Sequence, residues 1–221
     1  MSEIPTTLTG KFITIDGPDY CGKGTQTRLL VSHLLDNEHD KKHKLTTVLA
    51  TREPFNSPFG LQLRRLLATT TDPAAKANEF ADLFIADRRV HLDNLILPSL
   101  NQGAIVVCDR YMYSTIAYQH AQGIPVRDLL TKQATFWIPD VSIIILPSVE
   151  NIIKRKSAER NRPYEEVFEK SSEFTKNVRS NYTRMREWLP DHNIVMVDGD
   201  RTPQEIFNDI RTIVDKVVFG R

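Results

Sequence analysis

The chain has 221 residues, 40% of them hydrophobic and 26% charged, with a formal net charge of +1. That length and mix suit one globular domain with a full core, or one domain carrying a mobile insert. The near-neutral charge gives no whole-molecule pull toward nucleic acid or membrane, so any anion binding must come from local clusters.

No stretch approaches the roughly 20 apolar residues of a membrane span. The two cysteines, Cys21 and Cys108, make no disulfide framework and suit a reducing, cytoplasmic compartment. Residues 1–9 lack a basic region followed by an apolar one, so they read as a loose tail rather than a signal peptide.

Phe12 to Ile15 predicts the first strand, and Thr25 to Leu35 a helix with Leu29, Leu30, Leu34 and Leu35 on its apolar face. Between them runs Gly17-Pro18-Asp19-Tyr20-Cys21-Gly22-Lys23-Gly24-Thr25-Gln26. Strand, glycine-bracketed loop, lysine and helix form the context of a phosphate-binding P-loop. Gly17 and Gly22 let the backbone turn tightly. The N–H groups of the loop and of the helix start, including those of Gly24, Thr25 and Gln26, then face an anion. Lys23 adds a mobile cation for the β and γ phosphates. Gly24 stands where Ser or Thr normally supplies a magnesium ligand, and Thr25 comes one place late. A chance glycine turn is the alternative, and the flanking elements weigh against it.

Asn37 to Lys44, with His39 and His43, reads as a solvated loop, since nothing is spaced to complete a metal site. Leu45 to Ala50 is a second strand running into Thr51-Arg52-Glu53-Pro54. The proline stops regular structure, which leaves Arg52 and Glu53 at a strand's C-terminal end, where open parallel sheets bind ligands. Gly60 to Leu67 predicts a short helix carrying Arg64 and Arg65, and Thr69 to Pro73 a break. Asn78 to Leu100 has helical periodicity. Phe84 and Arg88, four apart, share a face of it, and an aromatic plate beside a guanidinium can hold a flat base. Taken singly, Phe84 is core packing and Arg88 a surface charge.

Ala104 to Cys108 is a continuous apolar run, as in a strand buried on both faces, and ends in Asp109-Arg110-Tyr111. An acid at that point is the Walker-B arrangement, which holds magnesium directly or through water. Ser114, Thr115, Tyr118 and Gln119 follow, either the polar lining of a pocket or ordinary helix residues. Val141 to Leu146 is a fourth strand. Ser148 caps a helix that runs into Lys154-Arg155-Lys156 and on through Arg160 and Arg162 to Pro163. The basic segment at about 154–164 is a solvated turn or a phosphate-closing lid, and its place opposite a P-loop favours the lid. Glu165 to Leu189 predicts one long helix whose stripe (Val167, Phe168, Ser171, Phe174, Val178, Tyr182, Met185, Trp188) is core or subunit interface. Ile194 to Val197 is a fifth strand. Thr202-Pro203-Gln204-Glu205 is a capping box before a last helix with Ile206, Phe207, Ile210, Ile213, Val214, Val217 and Val218 on one face. Strands alternating with helices and no linker predict a single α/β domain over 1–221, its parallel sheet covered on both faces.

Three motifs in this order resemble the thymidylate kinase family of P-loop nucleoside-monophosphate kinases, over nearly the whole chain. They are Thr51-Arg52-Glu53-Pro54, Leu83-Phe84-Ile85-Ala86-Asp87-Arg88, and Asp109-Arg110-Tyr111 with Ser114, Ala117, Tyr118 and Gln119. The resemblance implies a P-loop NTPase-type, five-stranded parallel sheet with a lid, usually a homodimer. It implies ATP and dTMP as substrates and magnesium as cofactor. It also implies roles. Asp19 would accept from the sugar 3′-hydroxyl, and Arg52 and Arg110 would hold the dTMP phosphate. Pro54 would shape the base pocket, Phe84 stack on thymine, and Arg88 bond a base carbonyl. Thr115 would face the base's polar edge beside Ser114 and Gln119, and Tyr118 would fill the space of a 2′-hydroxyl. Asp109 and Thr25 would hold the metal. Lys23, Asp19 and Arg110 would serve catalysis with a lid arginine, Arg155 or Arg160, while Arg162 binds phosphate or anchors the next helix.

Several positions depart from the family pattern. Gly24-Thr25-Gln26 looks more like adenylate kinase, Phe55-Asn56 replaces a common glycine pair, and Pro147 stands where an aspartate is frequent. Tyr20 occupies a place where one subclass has a P-loop arginine, and tyrosine is uncharged at neutral pH, so the catalytic cation is expected from the lid. The competing readings are a kinase for another nucleotide and a catalytically silent nucleotide-binding protein. The paired acceptor arginines weigh against the second, since a switch does not need them.

Overall fold

The computed structural model describes residues 8–36, 47–158 and 171–220. Five strands, β1 (Lys11–Asp16), β2 (Val48–Arg52), β3 (Ile105–Asp109), β4 (Val141–Leu146) and β5 (Ile194–Asp198), form one sheet in the order β2-β3-β1-β4-β5. Every pairing is parallel. The chain leaves β1 to one side and crosses to the other after β3, so the sheet's switch point lies beside β1. In register, Ile15 pairs with Asp109 and Asp109 with Arg52. That brings the ends of β1, β2 and β3 to one edge, where open α/β sheets bind ligands.

Side chains alternate across the sheet. Phe12, Val106, Cys108, Ile144 and Leu146 face one core, closed by helices α3 (Ala77–His91), α5 (Met112–Ala121) and α8 (Ser172–Thr183). Ile13, Ile15, Val107, Ile143 and Ile145 face the other, closed by α1 (Lys23–Asp36) and α10 (Pro203–Phe219). With both faces covered, β4 is buried at all six positions, which is why its sequence is apolar without alternation. The stripe on α10 packs inward as predicted, below a capping box between Thr202 and Glu205. On α1, Leu30 and Leu34 are buried but Leu35 is 46% exposed, a correction to its place in the predicted apolar face.

Other boundaries shift for local reasons. The helix predicted to Leu100 runs to His91 and passes through a π turn at Leu92–Ile96, where Leu97 N–H bonds Leu92 O, into α4 (Leu97–Asn101). Pro98 has no N–H to keep the regular ladder, so the register slips just before it. The long helix predicted to Leu189 starts only at Ser172 within the described residues. Ser171, expected on its apolar stripe, is its N-cap, accepting from Phe174 N at 3.0 Å. Thr183 then spends its hydroxyl on Ser180 O at 2.7 Å, and the helix breaks at Arg184 before α9 (Met185–Trp188). α2 (Pro58–Thr69) is capped by Ser57, and α7 (Val149–Ala158) follows Ser148. α6 (Val126–Gln133) went unpredicted, because only Leu129 and Gln133 of its eight residues are buried. Thr9, expected in a loose tail, instead bonds Leu100 O at 3.4 Å. Strand β2 begins at Val48, and Leu45 lies outside the described residues, as do His39, His43, Arg160, Arg162 and the lid from 159 to 164.

Candidate active site

A cleft of about 1420 Å³ opens at the carboxyl edge of β1, β2 and β3. Its floor is the loop from Gly17 to Gln26. Gly17 has φ +141°, and a Cβ there would stand 2.4 Å from Ile145 O, so only glycine fits. Gly22, at φ +96°, and Tyr20, at φ 62°, complete the turn. Thr25 N and Gln26 N close onto Gly22 O at 3.0 and 3.1 Å and start α1. Lys23 is folded back over the loop, donating to Gly17 O at 3.0 Å and Pro18 O at 2.7 Å, with Asp19 Oδ1 at 3.9 Å. A P-loop lysine is expected to lie open to ligand, yet this one is 7% exposed: a buried ammonium must find acceptors, and the loop carbonyls supply them.

Asp109 ends β3 beside this floor. Its Oδ1 is buried with no hydrogen-bond partner among the described residues, and Oδ2 lies 3.9 Å from where a Cβ on Gly24 would be. An acceptor left bare beside a phosphate loop suits a cation.

Arg110 follows at φ 74°, a conformation uncommon outside glycine and one that turns the side chain into the cleft. It ion-pairs with Asp19, donates to Ser114 Oγ at 3.3 Å, and stacks over the Tyr118 ring at 5.6 Å. Tyr118 Oη accepts from Asp19 N–H at 2.9 Å. Four predicted residues, Asp19, Arg110, Ser114 and Tyr118, thus form one cluster. Arg52, exposed at the end of β2, lines the same wall with Pro54.

On α3 the reading of Arg88 as a surface charge fails. Arg88 is 1% exposed and lies one helical turn on from Phe84, which is only half-buried, and both line the cleft. Its Nε donates to both Glu53 oxygens at 3.1 and 2.9 Å, Nη2 to Glu53 at 2.6 Å and to Thr115 Oγ1 at 3.0 Å, and Nη1 to Gln133 Oε1 at 2.5 Å. Burial disfavours the charge, but the Glu53 carboxylate, with smaller contributions from Tyr111 and Asp16, outweighs it and holds the guanidinium's pKa above its ordinary value. Gln119, fully buried, donates to Gln122 at 3.1 Å and keeps its Oε1 unpartnered among the described residues.

Arg155, at the end of α7, donates to Gly199 O at 2.7 Å and reaches Tyr20 O at 3.4 Å, bridging the β5–α10 loop and the P-loop. Burial pushes the Cys21 and Cys108 thiols up, so neither is an activated nucleophile.

Sequence reasoning missed three supporting residues. Asp87 accepts from Phe55 N at 2.6 Å and Ser57 Oγ at 2.5 Å, stapling the β2–α2 loop, and burial raises its carboxyl. Its place beside Arg88 was the available signal. Asp16 is buried next to the first P-loop glycine, where an acid before the loop was visible but unassigned. Gln133 sits on the unpredicted α6 and gave no signal.

Such a cleft has a phosphate cradle with its lysine on one side. On the other are two arginines, Arg52 and Arg110, and a slot lined by the Phe84 ring and the paired Arg88 guanidinium. It is laid out for two anionic nucleotides meeting head to head on a P-loop NTPase sheet, the layout of a nucleoside-monophosphate kinase. The family model for thymidylate kinase matches residues 15–210. A probable thymidylate kinase from Thermococcus onnurineus is 36% identical over 216 residues, 95% of this chain and 100% of its own length. The thymidylate kinase of Caldicellulosiruptor saccharolyticus is 30% identical over 97% of this chain and 100% of its own. A crystal structure of thymidylate kinase from Ehrlichia chaffeensis superposes with a TM-score of 0.70 at 26% identity, covering 93% of this chain and 98% of that one. The chain belongs to the thymidylate kinase family.

Proposed function

We propose that the protein is a dTMP kinase that transfers the γ-phosphoryl group of ATP to dTMP, giving ADP and dTDP, with the site residues named above. The observation that carries the acceptor is the buried Arg88 node, which lines the cleft with Phe84. A guanidinium has five N–H groups. Glu53, Thr115 and Gln133 take the Nε hydrogen, both on Nη2 and one on Nη1, leaving one Nη1 hydrogen for the cleft. A single N–H at the edge of a stacked pyrimidine donates to a C4 carbonyl and opposes a C4 amino group, which favours thymine over cytosine.

The attacking atom is an oxygen of the dTMP phosphate, whose second pKa is about 6, so it is largely ionised at neutral pH. No general base is required, and the protein's work is positioning and charge neutralisation. Arg110 exchanges Asp19 for the more highly charged phosphate, and Arg52 holds its other side. Asp19 is then released toward the sugar 3′-hydroxyl. The Tyr118 ring supports Arg110 from below and fills the space of a 2′-hydroxyl. Lys23 leaves the loop carbonyls for the donor phosphates, and Arg155 swings from Gly199 O to the transferring group, with Arg160 and Arg162 as further lid cations. Magnesium would be held by Asp109 and the Thr25 hydroxyl. It needs only one or two protein oxygens besides phosphate and water, and it would neutralise the donor phosphates. A homodimer and a cytoplasmic location belong to the same reading, supported by family membership and by two free, buried cysteines.

A coupled assay over all nucleoside monophosphates tests this, with dTMP expected to give the highest kcat/KM. AMP as the best acceptor would favour the adenylate-kinase-like reading of Gly24-Thr25-Gln26. ATP binding without turnover on any monophosphate would favour a silent nucleotide-binding protein.

A further inference from the structure

Asp16 has no assigned part in the reaction, yet it bonds two of the groups that hold Arg110, the next backbone amide and Ser114. It is fully buried at the end of β1. Its Oδ1 accepts from Tyr111 N–H at 3.2 Å and from Ser114 Oγ at 2.7 Å. Tyr111 N is the first amide after Arg110, so that bond fixes the far side of the φ 74° turn. Arg110 N–H is held on the near side by Ile15 O at 2.9 Å. Ser114 is the side chain to which Arg110 Nη1 donates, and it also meets Tyr182 Oη at 2.9 Å. One carboxylate therefore anchors both the strained backbone of Arg110 and the hydroxyl that aims its guanidinium. Such a conformation persists only when its surroundings over-determine it.

We infer that Asp16 is a positioning residue for the acceptor phosphate: through Tyr111 N–H and Ser114 it sets Arg110 at the height where the dTMP phosphate arrives. It does not touch the substrate. This rests on the reading of Arg110 as a phosphate ligand. The consequence is selective: losing Asp16 weakens recognition of the phosphate and leaves recognition of the base and sugar unchanged.

The test is calorimetric binding of dTMP and of thymidine, which lacks the phosphate, to wild type, Asp16→Ala, Asp16→Asn and Arg110→Ala. Asparagine keeps an acceptor of the same size at the Oδ1 position. Asp16→Ala is expected to lose about tenfold or more in dTMP affinity, the scale of one charge-assisted bond, with thymidine binding changed less than about twofold. Asp16→Asn should stay within about threefold of wild type for both ligands. In an Arg110→Ala background, Asp16→Ala should remove little further dTMP affinity, because the two act as one unit. Equal weakening of both ligands, an undiminished dTMP affinity, or full additivity with Arg110→Ala overturns the inference. If Asp16→Ala does not fold, Asp16→Ser, whose shorter side chain gives up the carboxylate's reach to Tyr111 N–H and Ser114 Oγ, takes its place and is held to the same outcomes. Should Arg110→Ala itself keep full dTMP affinity, the assignment of Arg110 fails instead, and the two failures are distinct.

Discussion

Replacing Glu53 with leucine should destabilise the protein severely, and the amount follows from its place. Glu53 is 2% exposed and Arg88 1% exposed. Three of the guanidinium's contacts within hydrogen-bonding distance go to this carboxylate, at 2.6 to 3.1 Å. In Glu53→Leu the guanidinium stays buried with only Thr115 and Gln133 as partners, and Cδ methyls take the place of the acceptors. Breaking one side of a buried ion pair costs about 3–5 kcal/mol. For a chain of this size, each kcal/mol moves the melting temperature by about 2–4 °C, so a fall of roughly 6–20 °C is expected. The loss comes from an uncompensated charge rather than from missing contacts. Arg88→Met on the Glu53→Leu background should therefore recover most of it, since an apolar pair of similar volume is often as stable as the ions it replaces. Differential scanning calorimetry on the two single variants and the double variant measures both effects. A Glu53→Leu melting temperature within about 2 °C of wild type would refute the reasoning, as would additive losses in the double variant.

Four further outcomes can be checked. Lys23→Ala should lower kcat at least about a hundredfold with an unchanged far-UV circular dichroism spectrum; near-normal turnover would overturn the P-loop assignment. Tyr118→Ala removes both the hydroxyl that accepts from Asp19 N–H and the ring under Arg110. The ratio of kcat/KM for dTMP over its ribose counterpart should fall, and an unchanged ratio removes Tyr118 from sugar discrimination. Arg155→Ala should reduce kcat by roughly 10³ or more with little change in dTMP affinity, as an arginine finger would; a small effect on kcat would assign Arg155 to the structural bridge between Gly199 and Tyr20 alone. Burial raises the Asp16 carboxyl above its ordinary value, so the folded state binds that proton more tightly than the unfolded chain. The stability this contributes is full below the unfolded pKa, about 3.9, and is lost as pH rises through the folded value. Asparagine carries no such proton. The melting temperature of Asp16→Asn relative to wild type should therefore climb as pH rises above about 4, and a flat or falling difference contradicts the assignment.

The sequence alone determined the sheet, the P-loop and the acceptor motifs, because each is written locally. An apolar run without alternation, such as Val141 to Leu146, means a strand covered on both faces. Gly17 and Gly22 stand where the backbone needs a positive φ. Phe84 and Arg88 fall on one helix face by spacing alone. Local writing also misled where a competing local bond won, as when Ser171 capped a helix it was expected to lie within and Pro98 forced a π turn. The tertiary structure decided how these residues are used. Arg88 is a buried half of an ion pair rather than a surface charge because Glu53 comes from the loop after β2 and Thr115 and Gln133 from two other helices, up to 45 residues away in the chain. Lys23 is packed against its own loop carbonyls, and Arg110 is turned by Asp16 across a separation of 98 residues to Ser114. Periodicity and propensity describe a residue's relation to its own element. The partner of a buried polar group is chosen by which elements pack together, and the energy at stake in leaving such a group unpaired makes that choice specific.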